Sequence, residues 1–142
     1  MRARGVLLIL LVLGAALLLV PVASASEKSV VAVLQATVKP IERSSAAVAK
    51  CPRAQAPVAC IRKVGARLAA AARNADKRIG AALDGSERTC FSSAIATYRR
   101  GLRTMAAGGV LLGKGRLQAG AKTLNAAART MQKSARGLSA CG

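Results

Sequence analysis

The stretch CPRAQAPVAC, residues 51–60, ends one helical pattern and opens another, and its two cysteines bear on how the whole chain folds. Upstream, Val31, Leu34, Val38, Ile41 and Val48 fall at helical spacing on one apolar face, which predicts a first helix from about Glu27 to Lys50. Pro40 lies inside that pattern and, having no N–H to donate, is expected to kink the helix or split it in two. Downstream, Pro57 suits the first turn of a second helix, in which Ile61, Val64, Leu68, Ala75, Ile79 and Ala82 share a face. The run DGSE, residues 84–87, reads as a stop and a restart, with Gly85 as the C-terminal stop and Ser86 or Asp84 as the next N-cap. A third helix places Phe91, Ile95, Tyr98, Leu102, Met105 and Leu112 in register, and Gly108-Gly109 offers it an early end. After a Gly113-Lys114-Gly115 turn, a fourth helix repeats Leu117, Ala121, Leu124, Ala128, Met131, Ala135 and Leu138. This alternation of large and small lets an antiparallel neighbour approach closely.

Four helices of similar length with short breaks predict an all-α fold, an antiparallel four-helix up-and-down bundle. Its geometry selects among the three ways of pairing four cysteines. Cys51 ends the first helix and Cys60 begins the second, at one end of the bundle; Cys90 begins the third and Cys141 ends the fourth, at the other. A crossed pairing would span a helix about 36 Å long, whereas a disulfide tolerates at most about 7 Å between Cα atoms. The expected bridges are therefore Cys51 with Cys60 and Cys90 with Cys141. Four thiolates around a zinc ion is the competing reading, disfavoured by the absence of histidine and of any C-x-x-C spacing.

The hairpin from Cys51 to Cys60, with Pro57 three residues before the second cysteine, resembles the plant inhibitors of pectin methylesterase and invertase. Those are secreted four-helix bundles with two disulfides, the first of which closes a helical hairpin. The likeness implies an architecture and no activity, because it covers only these ten residues. The chain also has a helix ahead of Cys51, lacks the tyrosine usual in that motif and spaces Cys90 and Cys141 more widely.

Residues 1–25 have the layout of an export signal. Arg2 and Arg4 supply a basic start, Val6 to Val20 an apolar run, and Ala23-Ser24-Ala25 a small-x-small site before Ser26. Cleavage after Ala25 leaves one domain of residues 26–142, secreted or held in the cell envelope or periplasm, where disulfides persist. The alternative is a membrane anchor through an uncleaved residues 5–25 segment, long enough to span.

Charge is the remaining strong signal. The chain has 23 Lys and Arg against 5 Asp and Glu, with no His, for a net charge of +18. Without Arg2 and Arg4 the balance is 21 − 5 = +16. Such an excess opposes compaction and attracts polyanions. The core resisting it is thin, with Phe91 and Tyr98 its only aromatic residues, so covalent staples carry weight. Lys122, Arg129, Lys133 and Arg136 fall within about 60° on a helical wheel, opposite the leucine seam. Arg62, Arg73 and Lys77 line the second helix, and Arg88, Arg99 and Arg103 flank the third. After Glu87 there is no acid, so the last 55 residues carry ten basic groups unopposed. The candidate polyanion-binding residues are Lys122, Arg129, Lys133, Arg136, Arg99 and Arg103. The plainer reading of the same residues is a solvated outer face in a chain whose Ala, Gly and Arg content reflects GC-rich codons.

Other chemistries find little support. There is no histidine to act as general base, and the five acids look scattered over surface-type positions, so no enzyme activity is expected. Ser92 and Ser93 belong to no nucleophile motif, and Tyr98 reads as a core residue rather than a haem ligand, so neither cofactor nor metal is expected. Without aromatic stacking groups, sequence-specific nucleic-acid recognition is not expected. Nor is bilayer insertion after signal removal, because there is no Trp and the apolar faces are needed for the core. Two readings remain: a non-enzymatic binder of anionic envelope or extracellular polymers, and an inhibitor or adaptor that docks a specific protein through the Cys51 and Cys60 end.

Overall fold

Ser24 is in an extended conformation, and its hydroxyl accepts the N–H of Glu27 at 3.1 Å, which starts the first helix two residues earlier than the periodicity alone suggests. The computed structural model describes residues 20–141, so the basic part of the export-signal reading and its apolar run up to residue 19 lie outside the described residues. The elements are α1 (Ala25–Lys50), a 3₁₀ turn (Cys51–Arg53), α2 (Pro57–Ala82), α3 (Thr89–Gly113) and α4 (Leu117–Ser139). All are helical, and no strand occurs among the described residues.

Contacts along the helices fix their directions. Cys51 and Cys60 bridge the end of α1 to the start of α2, while Ser26 at the start of α1 donates to the Ala82 carbonyl at the end of α2. Arg62, early in α2, donates to the carbonyl of Gly113, which ends α3, at 3.2 Å. Ser134, late in α4, donates to the carbonyl of Ala94, early in α3, at 2.7 Å. Each helix thus runs antiparallel to the next, and the close backbone approaches lie between consecutive helices. The disulfides are the expected pairs, with Cα separations of 5.5 Å for Cys51–Cys60 and 5.8 Å for Cys90–Cys141.

Phe91, Ile95, Tyr98 and Leu102 of α3 share one buried core with Leu34 and Ile41 of α1, Leu68 and Ile79 of α2, and Met131 and Leu138 of α4. Several sequence expectations need correcting. Pro40 does not split α1, which is one helix; Pro40 and Ala36 are both exposed, so water can reach the carbonyl that proline leaves without a partner. The buried face of α1 is Val30, Leu34, Thr37 and Ile41, with Val31, Val38 and Val48 only half-buried. Gly85 does take the left-handed conformation, φ +88°, but neither Asp84 nor Ser86 caps α3. The Asp84 carboxylate instead accepts the N–H and hydroxyl of Ser86, at 2.9 and 2.6 Å, within the loop.

Gly108-Gly109 does not end α3. A Cβ placed on Gly109 would lie 2.6 Å from the Gly65 carbonyl oxygen of α2, and one on Gly108 would lie 2.8 Å from Leu124 Cδ2 of α4. The pair therefore lets α3 sit close against both neighbours, and that packing offsets glycine's poor helix propensity. The fourth-helix seam is also corrected: Leu117 is 36 % exposed and Ala121 is exposed, while Gly120, Ala127, Ala128, Met131, Ser134 and Leu138 are buried. Leu117 is the first residue of α4, at the end of the bundle, where no further turn covers it.

Candidate polyanion-binding surface

In so basic a chain, the placement of the acids determines which cations stay free. Glu27 overturns the expectation of surface acids, because its side chain is fully buried. Its carboxylate accepts the Ala23 N–H at 2.7 Å and three donors of Arg88, the backbone N–H, Nε and Nη2, each at 3.0 Å. Arg88 also donates to the Cys141 carbonyl and to the Pro21 carbonyl, both at 2.8 Å. One guanidinium thus ties the segment before α1, the α2–α3 loop and the C-terminal disulfide together. The Arg88 side-chain hydrogen bonds outweigh burial and hold the Glu27 pKa at about 2. No local pattern announces this pair, whose members are 61 residues apart.

Three of the other four acids are also engaged. Glu87 accepts the Ser26 hydroxyl and the N–H groups of Asp84 and Gly85, and these bonds lower its pKa, with Ser26 contributing most. Hydrogen bonds from Ser86 lower that of Asp84. Asp76 on α2 lies between Arg99 Nε at 2.7 Å and Arg103 Nε at 3.0 Å. Burial pushes its carboxyl up, but the hydrogen bonds from Arg103 and Arg99 prevail and leave it lowered. Glu42 of α1 is half-buried.

Lys122, Arg129, Lys133 and Arg136 are all exposed on α4, on the opposite side from buried Met131 and Leu138. They span about 21 Å along the helix axis. Among the described residues the ion pairs are Arg88–Glu27, Arg99–Asp76 and Arg103–Asp76, and none involves this stripe. Arg99 and Arg103, read from sequence as part of the same set, stand apart from it. They reach Asp76 on the α2 side of α3, whereas α4 packs on the flank carrying Ala94, Gly101 and Gly108. One carboxylate answers two guanidiniums there, and the Arg103 side chain remains 63 % exposed. Tyr98 is buried, and burial, with the Glu42 charge adding to it, pushes its phenol above the ordinary range. Ser92 donates to the Thr89 carbonyl at 3.1 Å as a helix residue would, and Ser93 is exposed. No helix among the described residues is long and apolar enough to cross a membrane. No family model, curated protein or solved structure matches the chain.

Proposed function

We propose that this protein is a non-enzymatic, exported binder of anionic polymers of the cell envelope or extracellular space. The observation that carries the reading is the division of charge. Glu27, Asp76, Asp84 and Glu87 are held by partners within the fold, while Lys122, Arg129, Lys133 and Arg136 stand exposed on one helix face with no ion pair among the described residues. Cations at helical spacing can each contact a phosphate, sulfate or carboxylate and release its counterion. Two disulfides support an oxidising compartment. The test is retention on heparin resin. Lys122, Arg129, Lys133 and Arg136 changed together to Gln should abolish retention at moderate salt with helicity unchanged. Undiminished retention of the quadruple variant would remove this face from the account.

A further inference from the structure

We infer that the end of the bundle closed by Cys51–Cys60 is a docking surface for an anionic lipid bilayer. The inference rests on the polyanion reading for its electrostatics, but moves the contact from the side of α4 to one end of the molecule and names the partner.

Three parts of the chain meet at this end. The disulfide joins the close of α1 to the start of α2, and the Arg62 bond to the Gly113 carbonyl joins the start of α2 to the α3–α4 turn. They bring Lys50, Arg53, Arg62, Lys63, Lys114 and Arg116 to one end, all exposed. Of the five acids, only Glu42, about two turns before the end of α1, lies in this half of the bundle. At the opposite end, Glu27, Asp84 and Glu87 cluster around the start of α1 and the α2–α3 loop. The molecule is therefore polarised along its length. Both α2 and α4 begin at the basic end with no side-chain cap and no acid in the first turn, so their helix dipoles reinforce the positive potential.

Charge alone would suit any polyanion; the apolar residues discriminate. Among the described residues the large hydrophobic side chains left exposed are Val22, Val58 and Leu117, and the last two lie at this end, 53 % and 36 % exposed. A dissolved polysaccharide or nucleic acid offers them little. A bilayer surface offers phosphates to the cations and an interfacial layer to the two apolar tips. The contact is shallow, since no described helix can span a membrane.

The chain has no Trp, so a single introduced Trp reports its own surroundings without background. The full chain carrying Val58→Trp or Leu117→Trp is titrated with phosphatidylglycerol and, separately, phosphatidylcholine vesicles, with Ala96→Trp on the exposed side of α3 as the control. Docking predicts blue-shifted emission, quenched by brominated acyl chains, at positions 58 and 117 with phosphatidylglycerol only, and no response at position 96. Adding Arg53→Gln, Lys114→Gln and Arg116→Gln to the Leu117→Trp chain should lower vesicle partitioning about fivefold per cation removed. Because the reporters are local, vesicle sedimentation caused by the apolar N-terminal stretch does not count as docking. Silent reporters on a chain that still binds heparin would overturn the bilayer inference and leave the polyanion reading standing; silent reporters and no heparin retention would remove both. A shift produced equally by heparin, without acyl-chain quenching, or only by a protein partner, would also overturn it.

Discussion

Replacing Glu27 by Gln in the full-length chain, which retains Ala23, tests the buried contact at the acidic end of the molecule. The amide keeps the shape but loses the charge, and it turns an NH2 toward donors where the carboxylate presented only acceptors to Ala23 and Arg88. The interval between the ordinary pKa of 4.5 and the folded value of about 2, at about 1.36 kcal/mol per pH step, sets an upper figure of about 3 kcal/mol. The Arg88 side chain is 37 % exposed, so solvent screening brings the expected loss to about 2 kcal/mol. The sign of the pH dependence follows from the same values. A carboxyl whose pKa is depressed on folding stabilises the native state above pH 4.5, and that stabilisation fades as pH falls toward about 2. Urea unfolding followed by far-UV circular dichroism, with disulfides intact, should therefore show wild type about 2 kcal/mol more stable than Glu27→Gln at pH 7, converging with it toward pH 2. A gap below about 0.5 kcal/mol at pH 7, in the range of an exposed pair, or one that does not narrow in acid, would refute the reasoning.

Three further outcomes are expected. Gly109→Ala drives a methyl toward the Gly65 carbonyl and should cost about 1–3 kcal/mol, read as a lower Tm, whereas Gly85→Ala meets no neighbour within 4 Å and pays only for its left-handed backbone. Removing Cys90–Cys141, of sequence separation 51, should destabilise by about 4 kcal/mol, against about 2.7 kcal/mol for Cys51–Cys60, of separation 9; equal losses in denaturant titrations would contradict the loop-length argument. Tyr98, the single tyrosine, should resist ionisation at pH values where a free phenol titrates, near 10, in an alkaline absorbance titration, and release its proton only as the bundle unfolds.

Much of this architecture is legible in the chain, because the breaks between helices are marked by proline, glycine and the cysteines themselves. Cysteine pairing follows from positions at helix ends, where only neighbours in space fall within bonding reach. What periodicity cannot supply is the tertiary context. Gly108 and Gly109 carry the signature of a helix stop, and become contact points only because Gly65 and Leu124 face them from other helices. The seam pattern of α4 assigns Leu117 to the core, yet a residue at the end of a bundle has no layer above it. Glu27 reads as an ordinary first-turn acid until Arg88 arrives from across the chain. The stripe on α4 was legible because it needs nothing but helical spacing, while the basic end depends on three segments that only folding brings together.

The salt dependence of heparin affinity, measured for wild type and for the quadruple Gln variant of Lys122, Arg129, Lys133 and Arg136, is the most direct test of the unneutralised stripe. The account predicts a linear fall of log affinity with log salt, shallower by about 3 in slope for the variant, in keeping with four lost counterion-releasing contacts. Equal slopes for the two proteins, or an affinity indifferent to salt, would contradict it.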